Sequence, residues 1–207
     1  MKYAFAFAGL VAGALAGECY APPPSASTNA APKPTSSSAA DSGYFGIIAA
    51  RSASPIHLRA VEARNGHFYI GAGGPTTYCP AESIGASNCP PGNSTVFSGG
   101  DDTLSLGVVV PGGQQVYVAP DGALSYTTAH SVSKPDGSVV EGFSKTPAAN
   151  GENFGYLNFD TGFVACPAST GYQVYGQTQD FKAKSDCLGF SAIISSVDQP
   201  GAWQYSA

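Results

Sequence analysis

The sequence predicts an all-β fold, and three observations carry that expectation. Short runs rich in β-branched and aromatic residues recur about every 8–12 residues with turn signals between them. Only 11% of the 207 residues are charged, whereas 26 are glycine and 16 are proline. No stretch shows a helical apolar period with caps. The expected product is one compact domain over residues 44–207, built from about twelve short antiparallel strands.

The candidate strands run in order along the chain. YFGIIAAR from Tyr44, IHLRAVEAR from Ile56 and HFYIGAG from His67 alternate apolar with small or polar residues. STVFS from Ser94, DTLSLGVVV from Asp102, QQVYVA from Gln114 and ALSYTTA from Ala123 follow, then VVEGF from Val139 and GYLNFD from Gly155. GFVACP from Gly162, GYQVYG from Gly171 and CLGFSAIIS from Cys187 complete the set. Pro120-Asp121-Gly122 combines a fixed φ with a glycine tolerant of positive φ, so it should turn QVYVA into ALSYT. Asp160-Thr161-Gly162 should do the same between GYLNFD and GFVAC.

Three segments look alike: HFYIGAGGPTTYC, QVYVAPDGALSYT and GFVACPASTGYQVY. Each is an apolar strand, a Gly/Pro turn and a second strand bearing tyrosine, and they begin at residues 67, 115 and 162, a spacing of about 48. Three related hairpins at one period suggest a barrel of the β-trefoil kind, slightly favoured over a two-sheet sandwich of the same strands.

Ahead of the domain, MKYAFAFAGLVAGALAG has one basic residue, an apolar run and a small-residue end, the pattern of a secretory signal peptide over residues 1–16. The run is too short to span a bilayer, and the C-terminal DQPGAWQYSA is not a lipid-anchor signal, so no membrane anchor is expected. Residues 17–43 are rich in Pro, Ser, Thr and Ala, which cannot bury enough surface to offset ordering entropy; they should form an extended linker whose hydroxyls suit O-glycosylation. A net charge of −5 argues against nucleic acid as a partner.

In a secreted chain cysteines default to disulfides. The simplest pairing joins Cys79 to Cys89 and Cys166 to Cys187, leaving Cys19 to pair between chains, enter a different arrangement or stay free. No CxxC spacing suggests a metal, and no cofactor is implied. His57, His67 and His130 carry no HExxH spacing, and no GxSxG nucleophile motif is present. Asp101-Asp102 after two glycines could offer oxygens to Ca²⁺, but a strand-entry loop needs no ion. Pairing Asp160 with Asp180 or Asp186 for glycoside hydrolysis would need a separation that a sequence does not give. No catalytic and no metal-ligating residue is therefore nominated. Eleven tyrosines could stack on sugar rings, so a polysaccharide is a partner class the composition leaves open. Asn93-Ser94-Thr95, following Pro90-Pro91-Gly92, is an N-glycosylation sequon expected on an exposed loop.

YFGIIAARSASPIH at 44–57, QQVYVAPDGALSYT at 114–127, LNFDTGFVACP at 157–167 and DCLGFSA at 186–192 together resemble the fungal cell wall protein PhiA family. The resemblance implies a secreted, extracellular, non-enzymatic cell wall glycoprotein, structural in character and linked to wall organisation during phialide and conidium formation. It brings no catalytic residue to carry over.

Overall fold

The structure is a computed structural model that describes residues 43–148 and 154–207. The expected signal peptide, the expected linker as far as residue 42 and Cys19 lie outside the described residues.

β1 (Tyr44–Ala50) alternates strictly, sending Phe45, Ile47 and Ala49 inward. All seven of its residues pair with β12 (Leu188–Val197), from Tyr44 opposite Val197 to Ala50 opposite Ser191. On its other side β1 is shared: its C-terminal half meets β2 (Arg59–Arg64) and its first two residues meet β5 (Phe97–Leu106). β12 is shared in the same way, pairing with β10 (Phe163–Pro167) through residues 188–190 and with β9 (Gly155–Phe159) through residues 192–194.

Two closed circuits of hydrogen bonding follow from this sharing. In the first, β1, β2, β3 (His67–Ile70), β11 (Tyr172–Gly176), β10 and β12 form a six-stranded barrel, closed where Tyr172 and Gln173 face Ile70 and Tyr69. In the second, β5, β8 (Phe143–Thr146) and β9 return to the same β1/β12 pair. The hairpin of β6 (Val116–Val118) and β7 (Leu124–Tyr126) joins β3 at His67 opposite Ser125. β4 (Thr77–Tyr78) and β13 (Gln204–Tyr205) form a separate two-stranded ribbon. Closure of the sheet makes the fold an antiparallel barrel with extra strands, not a sandwich.

Two aromatic chains fill the interior. Phe45, Phe97, Phe68 and Tyr126 follow one another with ring centroids 5.3–6.0 Å apart, and Phe143, Phe159, Phe163 and Phe190 do so at 4.7–6.1 Å. Such spacing suits offset or edge-on contact between rings and removes large apolar area from water.

Some expected elements shift. STVFS and the first part of DTLSLGVVV merge into β5, whose glycine pair Gly99-Gly100 takes positive φ and leaves the strand unbroken. The VVEGF strand is displaced to Phe143–Thr146, and Val139 only bridges to Val118. A single helical turn, α1 (Ala81–Ile84), and a 3-10 turn at Ala86–Asn88 occupy the loop between Cys79 and Cys89. The three similar segments also diverge. β6–β7 and β10–β11 are hairpins, but β3 and β4 do not pair, because the intervening glycines carry the chain away. Gly71, Gly73 and Gly74 all have positive φ. The loop is then held by β2, where Glu62 Oε2 accepts from the Gly74 N–H and Arg64 donates to the Gly74 carbonyl.

Candidate functional site

Residues directly opposite in neighbouring strands share a sheet face, as do residues two apart in one strand. Applied to β6, β7, β3 and β11, this gathers Tyr117, Ser125, His67, Tyr69, Gln173 and Tyr175 on the outer face of the barrel. Their strand neighbours Val116, Val118, Phe68, Ile70 and Val174 are buried beneath them. Tyr69, Tyr117 and Tyr175 thus come from the three similar segments and lie on one half-exposed surface.

The surface is held in place by bonds of its own. The His67 Nδ1 and Ser125 Oγ lie 2.9 Å apart, and Tyr117 also hydrogen bonds to Ser125. Ser125 further donates to the Ala123 carbonyl, and Ala123 bridges to Tyr175. At one side, Phe181 stacks on Tyr175 with centroids 5.3 Å apart and packs over Gly122, where a side chain would collide with its ring. Gly122 closes the predicted Pro-Asp-Gly turn: its N–H donates to the Ala119 carbonyl, and Asp121 Oδ1 accepts from Ala123 N. Burial, and then the negative charge of Asp121, push the phenols of Tyr117 and Tyr175 above the ordinary tyrosine range, against the hydrogen bond between Tyr117 and Ser125. Both therefore remain uncharged hydroxyls, able to donate and accept.

The remaining sequence-nominated residues sit apart from this face or support it. Cys166 is bonded to Cys187 with Cα atoms 4.1 Å apart, fastening the segment that carries Phe181 to β10. Cys79 is bonded to Cys89 with Cα atoms 6.0 Å apart, closing the loop of α1. Asn93 is exposed. His57 Nδ1 accepts from the Arg51 N–H, and His130 lies on an exposed turn with positive φ. Asp102 Oδ1 accepts from the Gly142 N–H, and among the described residues no three His, Cys, Asp or Glu side chains gather as metal ligands would. Asp160, Asp180 and Asp186 are all exposed, the first in the turn between β9 and β10. Trp203 is half-buried, and its carbonyl accepts from Val110 N. Sequence reasoning marked the tyrosines but not Ser125, whose bonds to His67 and Tyr117 arise only once three strands are aligned.

No solved structure matches the chain. A protein of Arthroderma benhamiae described as an uncharacterized secreted protein is 38% identical over 156 residues, which cover 70% of this chain and 77% of the relative. The family model for PhiA-like secreted proteins matches residues 45–206, from the second residue of β1 to the residue after β13. The match thus takes in both closed circuits and the tyrosine face, and the chain belongs to the PhiA-like secreted protein family.

Proposed function

We propose that the protein is a non-enzymatic component of the fungal cell wall that holds neutral wall polysaccharide on its outer tyrosine face, and that it serves wall organisation during asexual development. The observation that carries the binding reading is the convergence of Tyr69, Tyr117 and Tyr175 on one fixed surface. Tyrosine offers a flat apolar ring for the C–H face of a sugar and a hydroxyl for its edge. Rings already ordered by a sheet lose little freedom on binding. The developmental part of the reading rests on the family resemblance.

A catalytic reading is weaker. The one serine-histidine contact on this face cannot serve as nucleophile and base, because Ser125 is 2% exposed and its hydroxyl is already shared with Ala123, Tyr117 and His67. An attacking oxygen must reach a carbonyl brought from solvent.

Sedimentation with insoluble β-glucan and with chitin tests the binding. The parent protein should be retained by one of the two, and a Tyr69→Ala, Tyr175→Ala double variant should lose most of that retention. If the parent pellets no more than an inert protein of similar size, the polysaccharide reading is abandoned. Deletion of the gene tests the developmental role: normal phialides and conidia in the deletion strain would overturn it.

A further inference from the structure

We propose that Asn93 carries an N-linked glycan whose first sugar lies in the cleft beside it, so that this sugar is part of the folded structure. This stands independently of the tyrosine face. Asn93-Ser94-Thr95 satisfies the acceptor pattern, and Asn93 is exposed. Its loop is rigid on both sides. The Gly92 N–H donates to the Gly201 carbonyl at 2.9 Å, Thr77 Oγ1 donates to the Gly92 carbonyl, and the Tyr205 hydroxyl donates to the Ser94 carbonyl at 2.8 Å. Asn93 is thereby presented at the edge of a cleft of about 600 Å³, lined by Pro91, Asn93, Ser94, Asp198, Gln199 and Pro200. The two prolines offer apolar faces for a pyranose ring, and Asp198 and Gln199 offer hydrogen-bonding partners for its N-acetyl and hydroxyl groups.

Thr95 fixes when the modification occurs. In the folded protein its hydroxyl is buried and accepts the Ala63 N–H at 2.7 Å, so the acceptor hydroxyl is closed off once β2 is in place. Transfer therefore takes place on the unfolded chain as it enters the secretory pathway. There an oligosaccharyl transferase joins the Asn93 amide nitrogen to the anomeric carbon of a lipid-pyrophosphate-linked oligosaccharide. The new C–N bond replaces the sugar's C–O bond to pyrophosphate, the lipid pyrophosphate departs, and the amide nitrogen gives up one proton.

The test uses the full chain secreted from a yeast or filamentous fungal host. Peptide mapping before and after amidase digestion should show a glycan on Asn93, converted to aspartate by the enzyme. Melting is then compared for the intact glycoprotein, the same protein trimmed to one N-acetylglucosamine, the amidase-treated protein and Asn93→Gln. The trimmed form should melt with the intact one, and the two unglycosylated forms about 2–4 °C lower. Gln199→Ala should lower the melting temperature of the glycosylated protein and leave that of Asn93→Gln unchanged. An unmodified Asn93 in the secreted protein overturns the proposal. Equal melting of all forms, with Gln199→Ala acting the same in each, overturns the seating of the glycan. The amidase-treated protein keeps the test decisive should Asn93→Gln fail to be secreted.

Discussion

Replacing Tyr205 by phenylalanine isolates the contribution of one hydroxyl. Tyr205 is 1% exposed, and its ring would pack unchanged as phenylalanine. The hydroxyl accepts from the Val96 N–H at 2.9 Å and donates to the Ser94 carbonyl at 2.8 Å, so one oxygen ties β13 to the strand entry that precedes β5. Two hydrogen bonds of about 1 kcal/mol each are lost, and the Val96 N–H is left buried without its partner, which costs about 1–3 kcal/mol more. The expected loss is about 3–5 kcal/mol, a sizeable part of the roughly 5–15 kcal/mol that a domain has. Urea unfolding measures it: at a slope of about 2 kcal/mol/M the midpoint should fall by about 1.5–2.5 M with the slope unchanged. Tyr117→Phe, at a half-exposed tyrosine, serves as the control. If Tyr205→Phe unfolds within about 0.3 M of the parent, the hydroxyl does not hold the C-terminal ribbon and the reasoning fails.

Three further outcomes are expected. Burial raises the Tyr126 phenol to about 12, against a hydrogen bond from Gly66; the folded state keeps the proton longer than the unfolded state. The associated stability is thus complete below the ordinary tyrosine pKa near 10 and is lost as pH rises toward 12, by about 3 kcal/mol in all. Urea titrations from neutral to alkaline pH should show a shallower decline for Tyr126→Phe, and an unaltered decline would contradict the burial argument. Removing the Cys166–Cys187 bond, whose partners are 21 residues apart, by the double change to serine should cost about 3 kcal/mol; a variant that melts like the parent would show that the bond constrains nothing. Gly122→Ala should expel Phe181 from its stack on Tyr175 and cost about 1–3 kcal/mol, with altered near-ultraviolet circular dichroism as the readout; an unchanged aromatic spectrum would refute the close packing.

Much of the fold is legible in local pattern. YFGIIAA, GYLNF, FVACP and YQVYG appear as strands where alternation and turn chemistry place them, and Pro-Asp-Gly folds as its residue types require. What local pattern does not contain is the partner of each strand. β4 and β13 are two residues each and become strands only by meeting across more than a hundred residues of chain. Gln114 reads as an ordinary strand entry, yet its buried side chain donates to the carbonyls of Thr127 and Tyr205 and accepts from the Tyr205 N–H. The strand at Phe143–Thr146 was masked by its polar outer residues and by Glu141-Gly142 ahead of it. The candidate site follows the same division: tyrosines at matching strand positions were visible, and their convergence required the pairing of β3 with both β7 and β11.

The sharing of β1 and β12 by both closed circuits sets an order of events during synthesis. β1 emerges early and must wait for β12, about 140 residues later, before either circuit can close. Until then the growing chain exposes the inward faces of β1, β5 and β9 and has no stable partial domain to rest in. A chain stopped before Leu188 therefore has no route to the native barrel however well its earlier hairpins form.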